Sequence, residues 1–274
     1  MRSGLSMLAI VGVRAREIES LALPRACLGC ERPLPPAHPD ACCAVCLHRM
    51  REIAPPVCGR CGQPMDRWSL KVEVGWSGQT RRRTAAGCGE SQALDTHCAF
   101  CREWPADLAW AVSAVWLDDG PARNLVHALK YEGWRCAAAP MAERMRRAGG
   151  ARLRALEGLV PVPLGPARLR ERGHNQAVLL ARALGAALGV PVLEQALRRA
   201  RETRSQTRLS PAARRLNVAG AFAPGGLGAR GLKVALVDDV LTTGATLGAA
   251  AAALAQLGPA SIGAMTFARA LVPA

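Results

Sequence analysis

The parts of this 274-residue sequence equipped for chemistry are an acidic pair beside a Thr/Gly-rich turn and four cysteine pairs at one spacing. The stretch Val234-Ala-Leu-Val-Asp-Asp-Val-Leu-Thr-Thr-Gly-Ala-Thr246 predicts a buried strand that delivers Asp238 and Asp239 to its carboxyl end. A short loop then runs straight into a helix. Backbone N–H groups of Thr242, Thr243, Gly244 and Ala245 at that helix start can cradle a monophosphate, with threonine hydroxyls as further donors and Gly244 allowing close approach. The acidic pair can accept hydrogen bonds from vicinal ribose hydroxyls, so these residues imply a ribose 5-phosphate. The loop contains no lysine, which excludes a Walker-type cradle. Gly226-x-Gly228-x-x-Gly231 matches a dinucleotide fingerprint only formally, because it precedes a strand instead of following one.

The thiols are Cys27-x-x-Cys30, Cys43-x-x-Cys46, Cys58-x-x-Cys61 and Cys98-x-x-Cys101. A two-residue gap lets both thiolates of a knuckle face one ion, so eight ligands make two tetrahedral sites, paired most simply in sequence order. Zinc–thiolate bonds would replace the core that these Pro-rich segments cannot build. Redox pairs and iron–sulfur ligation use the same side chains, but this region lacks the βαβ unit of a thioredoxin-like site, and structural zinc is the reading favoured. Cys42, Cys88 and Cys136 are surplus, although Cys88 could compete for the second site. His48 and His97 adjoin cysteines and read as loop histidines.

These groups need two kinds of framework. Ten of eleven cysteines precede residue 102, so the chain divides near Pro105 into an N-terminal segment 1–24, a cysteine-rich unit 25–105 and a second unit 106–274. In the second unit, strands at Trp110–Trp116, Gly158–Pro163, Lys233–Val237 and Ser261–Ala268 alternate with helices at Ala122–Lys130, Gln176–Leu188 and Thr246–Leu257. That alternation predicts an α/β layer architecture with a mainly parallel sheet. The net charge is +15, of which +11 falls beyond residue 105, and it suits a polyanionic partner. Basic residues are nearly all arginine; Lys71, Lys130 and Lys233 are the three lysines. No stretch approaches the roughly 18 apolar residues of a spanning helix. The clustered thiols and the absence of a clean signal peptide suggest a reducing cytoplasm. Aromatics make up 4% of residues, too few for a stacking platform to be expected; Trp110 and Trp116 read as packing, Trp68 and Trp76 as interface candidates.

Further spaced signatures are Ala128-Leu-Lys-Tyr131, Val160-Pro-Val-Pro163, Arg172-Gly-His-Asn-Gln176, Arg204-Ser-Gln-Thr207 with Leu209-Ser210, and Arg214-Arg-Leu-Asn217 before Phe222. With them, the Asp238–Thr246 stretch resembles the phosphoribosyl pyrophosphate (PRPP) motif of type I phosphoribosyltransferases. The whole chain resembles the ComF family of bacterial competence proteins, in which a double zinc ribbon precedes such a domain. His174 departs from the aromatic usual in the family, and the interval before Cys98 is longer than usual.

The resemblance implies an α/β fold with a type I phosphoribosyltransferase-like parallel sheet flanked by helices, structural Zn²⁺, and Mg²⁺ arriving with PRPP. It implies that Asp238, Asp239, Arg172 and Arg204 serve catalysis, while Val240, Leu241, Thr242, Thr243, Gly244, Ala245, Thr246, Arg168, Gln206 and Thr207 bind ligand. The loop Leu164–Gly173 would hold pyrophosphate, and Arg198–Arg215, with seven arginines and one glutamate, would close over it. His127 and His174 read as structural or solvent-facing. The family supports DNA uptake in natural transformation, so single-stranded DNA, a DNA translocase and other DNA-processing proteins are the expected partners. Transferase activity is not assured by the fold. A nucleotide-salvage phosphoribosyltransferase and a non-catalytic PRPP-sensing adaptor are the alternatives.

Overall fold

The structure, a computed structural model, describes residues 25–35, 38, 40–65, 98–202, 217–226 and 228–270. Arg204, Gln206, Thr207, Cys88, His97, Trp68 and Trp76 lie outside the described residues.

One sheet is formed by β1 (Leu108–Leu117), β2 (Gly158–Pro161), β5 (Lys233–Leu241) and β6 (Ser261–Ala270), in the order β1-β6-β5-β2 with every neighbouring pair parallel. β3 (Leu197–Arg199) and β4 (Phe222–Pro224) make a separate antiparallel ribbon. A parallel sheet needs both faces covered, which explains why β5 reads as an unbroken apolar run. Its pleat sends Ala235 and Val237 to one face and Val234 and Leu236 to the other. On the first face lie α2 (Pro121–Tyr131), α3 (Ala138–Gly149), the one-turn α4 (Ala151–Arg154) and α6 (Gln176–Leu188); on the second lie α7 (Ala245–Ala255) and the β3–β4 ribbon.

The expected strands and helices fall where alternation placed them, with ends shifted by at most two residues except in β5, which runs four residues further than expected, to Leu241. β2 ends earlier, at Pro161, although the Val162 N–H still donates to the Val237 carbonyl at 3.0 Å. Several elements escape the sequence reading. α3 carries only two large apolar side chains, Met141 and Met145, beside three arginines, β3 and β4 have three residues each, and the segment read as a loop at Leu164–Gly173 contains α5 (Pro166–Arg172). None of the residues of α5 is buried, so apolar periodicity could not reveal it.

The cysteine-rich unit packs directly on the sheet. Antiparallel bridges Ala26–Pro33 and Val57–Pro64 close two knuckles, and α1 (Ala44–Arg49) carries Cys46. Glu52 bridges to Val115, the Ala111 N–H donates to the Arg60 carbonyl and the Trp116 N–H to that of Arg51. This backbone pairing covers the edge that β1 would otherwise present to solvent.

Candidate sugar-phosphate site and cysteine tetrads

Asp238 and Asp239 are consecutive on β5, yet their surroundings differ. Asp239 is buried, and the Nζ of Lys130, in the last turn of α2, pairs with its Oδ2. Asp238 is half-buried, and its Oδ1 accepts the Asp239 N–H at 2.9 Å. Burial pushes the Asp238 carboxyl up, and the neighbouring negative charge of Asp239 pushes it further, well above the usual range. Burial also opposes ionisation of Asp239, but Lys130 outweighs it and Asp239 stays below its ordinary value. At Lys130 the two carboxylates likewise outweigh burial, and the shift is upward. The pair therefore holds one firmly ionised carboxylate and one poised carboxyl.

Gln176, at the start of α6, also supports the charge of Asp239, and Arg172 donates from Nη1 to Gln176 Oε1 at 3.1 Å. The Arg172 guanidinium stacks over Tyr131 at 4.9 Å. Lys130 and Gln176 were legible only as letters of a family signature. The available signal was composition: a lysine kept among so many arginines marks a place where a compact ammonium is wanted.

After Leu241, the last residue of β5, the chain turns through Thr242 and Thr243 to Gly244, whose φ of 80° lies in the left-handed region open to glycine. Thr243 Oγ1 accepts the Ala245 N–H at 3.4 Å, and α7 begins. A Cβ on Gly244 would run into the indole ring of Trp104, whose Nε1 donates to the Thr243 carbonyl at 3.2 Å. Trp104 belongs to the cysteine-rich unit, and nothing in its sequence context marked this contact. A cavity of about 270 Å³ lies beside it, lined by Phe100, Trp104, Thr243, Gly244, Gly248 and Ala252.

Arg168 and Arg172 both stand on α5, Arg168 close enough to Arg199 to oppose its charge. Glu202 occupies the start of this helix: its Oε1 accepts the Ala167 N–H at 2.8 Å, and a Cβ on Gly165 would meet its carboxylate. His174 is buried and structural, with Nε2 2.6 Å from the Leu129 carbonyl and Nδ1 2.9 Å from that of Arg172. His127 faces solvent and pairs with Glu132.

The thiols gather as Cys27, Cys30, Cys43 and Cys46, and as Cys58, Cys61, Cys98 and Cys101, each set with sulfurs within 4.8 Å of one another. Sulfur separations of 3.8 Å (Cys58–Cys101), 3.4 Å (Cys61–Cys98), 3.7 Å (Cys98–Cys101) and 3.9 Å (Cys30–Cys43) compare with the edge of about 3.8 Å of a tetrahedron with Zn–S bonds of about 2.3 Å. The donor set and spacing fit zinc. Burial opposes ionisation of Cys27 and Cys58, but backbone N–H groups aimed at their sulfurs prevail and bring each to about 6. Burial instead pushes Cys101 up to about 12, as it does Cys42, a fifth thiol packed 3.9 Å from Cys27. Cys136 is exposed.

The fold and these sites define a phosphoribosyltransferase-type domain joined to a double zinc ribbon. The double zinc ribbon pattern matches residues 18–75 and the phosphoribosyl transferase domain pattern residues 172–272. The DNA utilization protein YhgH of Salmonella typhimurium is 30% identical over 249 residues, covering 88% of this chain and 96% of that protein. The chain belongs to the family of these proteins. Competence protein F of Haemophilus influenzae is 40% identical over 116 residues, 42% of this chain and 51% of its own. Competence protein ComFC of Bacillus subtilis is 37% identical over 103 residues, 38% and 40% of the two chains. Among the described residues no helix is long and apolar enough to cross a membrane.

Proposed function

We propose that this chain binds PRPP at the carboxyl end of β5 and serves DNA utilization, the role named for its relatives. The observation that carries the reading is the acid pair with its split surroundings, standing immediately before a left-handed glycine and a helix start. In this reading Asp238 accepts the ribose hydroxyls, while Asp239 is held ionised by Lys130 and fixes the end of the strand. The N–H groups of Thr242–Ala245 take the 5-phosphate, Val240 and Leu241 fix the strand end and Thr246 opens the helix. Arg168 and Arg172 face the pyrophosphate side, joined by Arg204, Gln206 and Thr207 from the segment between β3 and β4. Mg²⁺ bound with the pyrophosphate would neutralise charge on that group. The basic excess of the second unit suits a nucleic-acid partner, and salt-dependent affinity for single-stranded DNA is the expected sign.

Calorimetric titration of zinc-loaded protein with PRPP and Mg²⁺, repeated on the Asp238→Ala/Asp239→Ala double variant, tests the site. Saturable binding by the wild type that is lost in the variant is expected. No heat from folded wild-type protein overturns the PRPP assignment. Pyrophosphate release on adding candidate acceptors then separates a transferase from a sensor.

A further inference from the structure

We infer that the second cysteine tetrad is a positioning element for the loop Leu241–Ala245, and that Trp104 is the residue through which it acts. The inference rests on reading that loop as the PRPP site.

The connection can be followed residue by residue. Cys98 and Cys101 form the last knuckle, and the Trp104 N–H donates to the Cys101 carbonyl at 3.1 Å. Arg60, standing between Cys58 and Cys61, reaches across the tetrad. Its guanidinium donates to the carbonyls of Cys101 at 3.1 Å, Pro105 at 2.6 Å and Leu108 at 3.1 Å. The segment from Cys101 to the start of β1 is thus clamped to both halves of the second site. Held this way, the indole stands edge-on to Phe100 at 5.7 Å between ring centroids, fills the space over Gly244 and grips the Thr243 carbonyl. Pro105 closes on Gly248 in the first turn of α7, where an added Cβ would stand 3.0 Å from its Cδ.

The other side of the tetrad is tied to the sheet by Arg269, near the end of β6 and 1% exposed. Its Nη1 donates to the Cys61 carbonyl at 2.8 Å, its Nε to Gln63 Oε1 at 3.0 Å, and its guanidinium lies 4.4 Å from the Phe100 ring. Four thiolates around a divalent ion leave an excess of negative charge, which this buried guanidinium is placed to balance. Sheet, tetrad, indole and loop therefore form one packed series with few rotatable groups between the sulfurs and the phosphate-binding N–H groups.

Hydrogen exchange measured on the zinc-loaded full chain without ligand tests this, read on a peptide spanning Leu241–Leu247. Trp104→Ala is expected to retain both zinc ions and to exchange about tenfold faster in that peptide, the ring and its hydrogen bond being lost. Trp104→Phe keeps an aromatic ring but not the donor, and is expected between the two. Cys98→Ser, with one ion fewer, is expected to match or exceed Trp104→Ala, whereas Cys30→Ser also loses one ion and leaves the peptide at its wild-type rate. Wild-type exchange in Trp104→Ala with both ions bound overturns the inference, and so does an equal rise in Cys30→Ser. Should Trp104→Ala lose its zinc, Trp104→Phe and the cysteine pair decide. PRPP titration of the same samples is a separate arm: a wild type that takes up no PRPP removes the ligand reading, while the exchange rates still decide the coupling.

Discussion

Cys27, Cys30, Cys43 and Cys46 close onto the face of the sheet covered by α2, α3 and α6, whereas Cys58, Cys61, Cys98 and Cys101 close onto the face covered by α7. Ligand type and spacing are the same at the two sites. Their neighbours are not. At the first, Asn124 of α2 donates to the Gly29 carbonyl at 3.0 Å, Arg144 of α3 pairs with Glu52 at 2.5 Å, and Cys42 fills the space behind the sulfurs. At the second, a buried arginine lies behind the sulfurs and a tryptophan in front of them. Identical metal chemistry thus packs against a helical layer in one case and, through Trp104, against the loop Leu241–Ala245 in the other. The spacing specifies the ion, and the residues just outside the knuckles specify its use.

This contrast can be broken most forcefully at the cysteines. Cys61→Ser and Cys46→Ser should each reduce bound zinc by one of the two tetrads, with Cys61→Ser the more damaging because it also removes thiolate charge from beside the buried Arg269 guanidinium. A loss of more than about 5 kcal/mol is expected for Cys61→Ser, since metal binding is folding energy in such units. Zinc quantitation with thermal unfolding checks it; equal losses would erase the distinction.

Lys130→Met comes next, leaving Asp239 ionisable and buried without its partner, at a cost of about 3–5 kcal/mol in urea unfolding. Adding Asp239→Asn should recover most of that loss. Because α2 also carries Asn124 to the first tetrad, this variant shows how far the first face reaches the acid pair.

Asp238→Asn should work in the opposite direction, by about 1 kcal/mol. The carboxyl has a folded-state pKa raised above its unfolded one, so ionised Asp238 costs stability at neutral pH. That cost vanishes as pH falls and the group takes up a proton. The stabilisation by Asn is therefore expected at neutral pH and should fade on acidification, while PRPP affinity falls. Thermal melts across pH read the sign. Smallest is Asn124→Ala, which removes one hydrogen bond to the first knuckle for about 0.5 kcal/mol without altering PRPP affinity.

Much of this was readable before the fold. Regular Cys-x-x-Cys spacing is a local constraint, and the apolar run ending in Asp238 and Asp239 announces both a buried strand and what stands at its end. What could not be read depends on contacts across the chain. Trp104 reaches Thr243, 139 positions further along the chain, and Arg269 reaches back 208 positions to Cys61. A lone tryptophan or arginine carries no spacing by which either could be foreseen. α5 and the β3–β4 ribbon were hidden for a different reason, being too short or too exposed to print a hydrophobic period.

The Glu202 carboxylate on the Ala167 N–H has a consequence for how strongly any anion can bind there. An acceptor already seated on that N–H is an internal competitor at fixed effective concentration, and an incoming phosphate must displace it. Apparent affinity is then the intrinsic affinity multiplied by the fraction of molecules whose carboxylate has swung away. Glu202 is itself the one glutamate of the arginine-rich stretch Arg198–Arg215. Glu202→Gln, a weaker acceptor, should tighten anion binding, as titration with inorganic phosphate would show. Seen this way the glutamate is a threshold, setting the anion concentration below which that N–H stays taken.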